Sequence, residues 1–84
     1  MHTPTEETIR SLVLLLHGWR FLRRDQLAEL IGMDSAEATV ILDKLAADGI
    51  VRPIAQVLVS EIPQPVYALA RRGADLAASI LGID

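Results

Sequence analysis

The sequence predicts a mainly α-helical domain with a small β-hairpin, on three observations. Apolar residues recur at helical spacing in three stretches before Gly49. β-branched residues then replace that period as far as Leu69, and a last amphipathic stretch precedes Gly82. At 84 residues the chain is sized for one domain, 1–84, and it contains no repeat, linker or low-complexity tract.

The first helix is expected to start at Thr3-Pro4-Thr5-Glu6, with Thr3 as cap, Pro4 in the first helical position and Glu6 completing a capping box. Ile9, Leu12, Leu16 and Trp19 form its apolar face, and Gly18 offers a left-handed stop. Val13 and Leu15 lie off that stripe and widen it, which places this helix centrally in the core or in a dimer seam. Phe21 and Leu22 lead into a second helix from about Arg24 to Ile31, with Leu27, Leu30 and Ile31 inward and Gly32 ending it. Asp34 and Glu37 then make another possible capping box, so a third helix starts almost at once and runs to about Asp48. Ala38, Ile41, Leu42 and Leu45 form its buried face, and Gly49 closes it. Two short helices joined by a glycine turn, from Arg24 to Gly49, are a helix-turn-helix.

Strands follow at Ile50-Val51 and from Ile54 to Val59. Glu61-Ile62-Pro63-Gln64-Pro65 reads as the turn, because its two prolines cannot donate ladder hydrogen bonds, and Val66 to Leu69 reads as the returning strand. The last helix, from about Arg72 to Leu81, carries Leu76, Ala77, Ile80 and Leu81 on its apolar side. The order is that of a winged helix-turn-helix: a three-helix core, a two- or three-stranded wing and a C-terminal helix.

Three local phrases carry a resemblance to known families. Phe21-Leu22-Arg23-Arg24-Asp25-Gln26-Leu27-Ala28 resembles the opening of the second helix in MarR-like regulators and in the plasmid replication-relaxation family. Leu45-Ala46-Ala47-Asp48-Gly49-Ile50-Val51 resembles the exit from their recognition helix, and Pro65 to Ala74 resembles their return from wing to last helix. The resemblance implies double-stranded DNA as partner, with the third helix in the major groove, and a homodimer is expected because a module this small gains affinity and half-site spacing by pairing. The chain departs from the pattern at Arg23 and Ala70, where these families often have a capping Ser or Thr.

Charge bears on that implication. The net charge is −3, so no global positive field draws the chain to nucleic acid. Between Met33 and Asp48 the acids Asp34, Glu37, Asp43 and Asp48 stand against Lys44 alone. Arg20, Arg23 and Arg24 form the densest basic cluster, at the entry to the second helix, and are the first candidates for phosphate contact. Arg52 at the base of the wing, with Arg71 and Arg72, extends it. Ser35, Thr39 and Lys44 are candidates for groove edges or backbone from the exposed side of the third helix. The alternative for all of these is an ordinary solvated surface with its usual ion pairs.

The candidates for self-association or partner contact are Val13, Leu15 and Ile80 on the helices and Val57, Val59 and Ile62 on the wing. Val57, Leu58, Val59 and Ile62 cannot all point inward if the strand alternates, and the wing from Ile54 to Pro65 holds Glu61 but no Lys or Arg. That pattern motivates a rival reading, a winged helix used as a protein-contact module. The acidity alone motivates a third, a small inhibitor imitating DNA.

Other classes find little support. The longest apolar run, Leu12 to Leu16, is far too short to cross a bilayer, and acids stand near the N-terminus where a leader needs cations, so a cytoplasmic protein without membrane contact is expected. There is no cysteine, and His2 and His17 do not sit at ligand spacing, so neither metal nor cofactor is expected. No nucleophile–base pattern suggests an enzyme. Trp19, Phe21 and Tyr67 are expected in the core.

Overall fold

A computed structural model describes residues 5–82. Its elements run α1 (Glu6–Trp19), β1 (Leu22–Arg23), α2 (Arg24–Ile31), α3 (Ser35–Ala47), β2 (Val51–Val59), β3 (Ile62–Leu69) and α4 (Arg71–Leu81). The helix start expected at Thr3 and Pro4 falls outside the described residues. Thr5 caps α1 instead, its Oγ1 accepting from the Thr8 N–H at 3.1 Å. Gly18 does not stop this helix. The residue with positive φ is Arg20 (φ 70°, ψ −47°), because the chain must reverse there for Leu22 to reach its partner Tyr67 on β3.

The helix-turn-helix follows the sequence closely. Gly32 takes the αL conformation (φ 84°) after α2, and Asp34 Oδ1 accepts from the Glu37 N–H at 2.8 Å to open α3. Leu12, Leu16, Leu27, Leu42, Leu45 and Val51 are among the most enclosed side chains, so α1, α2, α3 and the start of the wing share one core.

The sheet has the order β1-β3-β2, antiparallel throughout. The two strand pieces expected before the turn are one continuous β2, interrupted by a bulge at Ile54. The turn lies at Ser60 and Glu61 (φ 50° and 66°) rather than across Glu61 to Pro65, so Pro63 and Pro65 belong to β3. Their placement follows from the register. In a two-residue hairpin the flanking pair, here Val59 and Ile62, is hydrogen-bonded, and bonded and non-bonded pairs alternate from there. Pro63 opposite Leu58 and Pro65 opposite Gln56 therefore occupy non-bonded sites, where β2 asks for no donor. Their nitrogens face the β1 side, and β1 reaches only Val66 and Tyr67.

α4 docks on the corner between α3 and β2. The Ala70 N–H donates to the Ile50 carbonyl at 2.9 Å and the Arg72 N–H to the Gly49 carbonyl at 3.2 Å. Gly73 is buried at this corner, with Ala77 fully enclosed one turn further on.

Several expected burials are corrected. Trp19 (64% exposed) and Phe21 (59%) lie outside the core, because they flank the reversal at Arg20, past the packed length of α1. Tyr67 is buried as expected. Leu30 is exposed, since Leu27 and Ala28 carry the packing of short α2. Val13, a candidate for an intersubunit seam, has no exposed surface and is a core residue, because α4 covers that side of α1.

Candidate nucleic-acid interface

The N-terminus of α2 follows β1 directly, so the sheet fixes where Arg23 and Arg24 emerge. Arg23 occupies the N-cap position without a side-chain acceptor of its own. Gln26 Oε1 compensates by accepting from the Arg23 N–H at 3.0 Å. The Arg23 guanidinium then grips Asp25 with two bonds, Nε to Oδ1 at 3.0 Å and Nη2 to Oδ2 at 3.3 Å. That pairing holds the Asp25 carboxyl below the usual carboxylate range.

Arg24 points the other way, onto α3. Its Nη1 donates to Thr39 Oγ1 at 3.1 Å, and Thr39 in turn donates to the Ser35 carbonyl at 2.9 Å. Three residues proposed separately from the sequence thus form one chain of contacts, with the Thr39 side chain and the Ser35 main chain as links. Arg24 Nε is buried and finds no partner. Burial pushes the Tyr67 phenol up; Asp43 acts in the same direction and Arg24 against it. Tyr67 therefore stays neutral behind the junction of α2, α3 and β3.

The remaining cations divide into held and free. Lys44 pairs with Asp48 one turn on, Nζ to Oδ2 at 3.7 Å. Arg72 Nη1 donates to the Asp48 carbonyl at 2.7 Å, closing the end of α3. The sequence marks Arg72 as a basic surface residue, and nothing local to it signals this long-range cap. Among the described residues, the Arg10, Arg20, Arg52 and Arg71 side chains are exposed and make no ion pair. By strand register, Arg23 beside Val66 and Arg52 beside Ala68 lie on the same face of the sheet, opposite Leu22 and Tyr67. Arg20 is the C-cap residue of α1.

The candidates for partner contact fall in two places. Leu15 and Ile80 are half-buried against the core; Leu15 faces a groove shared with Trp19 and Leu30, and Ile80 one shared with Ile9 and Leu76. Val57 and Ile62 are exposed and Val59 half-buried, all on one face of the wing, while Leu58 (73% exposed) projects from the other. Among the described residues no cluster of His, Asp or Glu is placed to hold a metal ion, and no helix is long and apolar enough to cross a membrane.

No family model matches the chain, and no curated protein matches it in sequence. Solved structures do match in fold. A MarR-family transcriptional regulator from Silicibacter pomeroyi superposes with a TM-score of 0.73 over 90% of this chain at 22% identity, using 49% of its own length. A transcriptional regulator homologue from Pyrococcus horikoshii gives 0.74 over 92% at 16% identity, using 75% of its length. A MarR variant from E. coli complexed with operator DNA gives 0.72 over 94% at 15% identity, using 54% of its length. The chain spans about half the length of two of these proteins and three quarters of the third. It has the winged helix-turn-helix fold of the MarR-family regulators.

Proposed function

We propose that the chain is a small DNA-binding regulator of transcription or replication that works as a cytoplasmic homodimer and carries out no catalysis. The observation that carries this reading is the contact chain from Arg24 through Thr39 to Ser35. It fixes a cation at the junction of the two helices of a helix-turn-helix, with Arg23 beside it and Arg52 on the same sheet face. In this reading α3 enters the major groove, Ser35 and Thr39 meet its edge, and Arg20, Arg23, Arg24, Lys44 and Arg52 contact phosphates. The acids of α3 make its own electrostatic attraction small, so the arginines around it supply most of the salt-dependent affinity. The fold likeness to an operator-bound MarR supports the docking mode.

The test is fluorescence anisotropy of a random-sequence duplex titrated with the protein at several salt concentrations. Affinity is expected to fall steeply with salt. Replacing both arginines, Arg23→Ala with Arg24→Ala, should flatten the log–log slope by about 2, near 0.9 for each phosphate left without its arginine. Absence of binding at low salt sinks the proposal. The wing beyond Arg52, apolar and without a cation from Ile54 to Pro65, favours a second reading, a protein-contact module, which gains ground if duplex is ignored while one protein partner is recovered.

A further inference from the structure

The wing has two long edges, and they differ. On β3, Pro63 and Pro65 turn their nitrogens to the free side, so that edge offers no donor at either position. On β2, the alternation set by the Ser60-Glu61 turn directs the N–H and C=O of Gln56 and Leu58 away from β3. Nothing among the described residues covers them, for β2 is the outermost strand and Arg52 to Leu58 are all exposed. Edges of this kind are ordinarily blunted by a lysine, an inward charge, a proline, a bulge or a cover; on β2 the proline and the bulge, Pro53 and Ile54, lie at the base of the strand, before the Gln56–Leu58 stretch. Here no charged residue occurs between Arg52 and Glu61.

We infer that the β2 edge pairs with the β2 edge of a second copy, antiparallel about a two-fold axis at Val57. The edge is complementary to itself in that register. Gln56 of one copy falls opposite Leu58 of the other, so the outward groups of both exchange about four main-chain hydrogen bonds. Val57 meets its own equivalent at the axis, with Val59 opposite Ala55 beside it on the same face. Leu58 packs across Gln56 on the other face, where Pro63 and Pro65 extend the apolar floor. Pro53 ends the ladder on one side and the turn ends it on the other. Such an interface is isologous and closes as a dimer, and it brings no like charges together although each chain carries −3. Of the helical residues expected at a seam, Val13 is consumed by the core and Leu15 and Ile80 are half-covered, which leaves Leu76 and Leu81 of α4 as the exposed apolar residues there.

This placement of the contact rests on the homodimer reading and not on DNA binding. Sedimentation equilibrium over a wide concentration range tests it. The wild type should approach twice the 9.2 kDa chain mass. Gln56→Pro deletes an outward donor at a site where β3 needs none, and Leu58→Lys introduces facing charge beside the axis. Each is expected to raise the dimer dissociation constant at least about tenfold, with an unchanged circular dichroism spectrum. Leu58→Lys, on an exposed side chain, keeps the test valid if Gln56→Pro perturbs the hairpin. A wild type that is monomeric at millimolar concentration overturns both the homodimer and this contact. A dimer that survives both wing variants but dissociates with Leu76→Glu overturns the wing contact alone and returns the seam to α1 and α4. Duplex binding, read separately by anisotropy, stands or falls independently.

Discussion

A Cβ built on Gly73 would overlap the Ile50 carbonyl oxygen and come within 2.9 Å of Leu69 Cδ2, because the first turn of α4 lies directly on the Gly49–Ile50 corner. The carbonyl cannot retreat, since it accepts from the Ala70 N–H. Gly73→Ala is therefore expected to destabilise the protein by about 3 kcal/mol, measured by urea unfolding. Gly18 is the opposite case. It lies inside α1 with open space around its Cα, so Gly18→Ala should stabilise by about 0.5–1 kcal/mol through helix propensity. Equal effects of the two substitutions would show that space at the corner is not the determinant. The sequence does not distinguish these glycines by anything local, and a helix stop at Gly18 is not realised because the reversal falls on Arg20.

The elements are legible where their signals are local. α2 and α3 have their expected limits because glycine and aspartate at the ends, and the apolar period between, act within a single turn of helix. β1 leaves no such signal, since two residues have no period and pair only with a strand more than forty positions away. The wing turn departs from expectation for a related reason. Prolines read as breakers, yet at non-bonded sites facing an uncovered edge they cost no ladder bond, while Ser60 and Glu61 turn the chain without any glycine to announce it. Both hold positive φ, a conformation that costs a non-glycine residue about 1 kcal/mol. Replacing the pair by Asn-Gly, as Ser60→Asn with Glu61→Gly, should relieve that strain and raise Tm by roughly 4–8 °C. A Tm that is unchanged or lower in a thermal melt would mean that the turn is not strained.

At the scale of the molecule, the sequence exposes the charge problem but not its layout. The arginines at 20, 23 and 24 form one cluster in the chain, whereas in space Arg23 clasps Asp25, Arg24 reaches across to α3 and Arg20 is the exposed C-cap residue of α1. What adjacency hides is that Arg52, nearly thirty residues on, shares a sheet face with Arg23. The phosphate contacts proposed above would draw on β1, α2 and β2 together, so their affinity would depend on the sheet register as much as on α3. The apolar excess likewise has a location. Its largest share lies in the wing and at Trp19, Phe21 and Leu30, with Val40 on α3 and Leu76 and Leu81 on α4 exposed as well.

The corner where α4 meets Ile50 also sets how the molecule comes apart. Main-chain bonds from Ala70 to Ile50 and from Arg72 to Gly49, with the Arg72 side chain on the Asp48 carbonyl, tie the last helix to the end of α3 by backbone rather than by side-chain packing alone. Backbone ties of this kind do not loosen singly, so the end of α3, the start of β2 and the start of α4 should open as one cooperative unit. In hydrogen exchange at low chain concentration, the Ile50 and Ala70 amides should share one opening free energy, while those of Gln56 and Leu58 exchange far faster. An Ala70 amide exchanging at the rate of the wing would dissolve that unit.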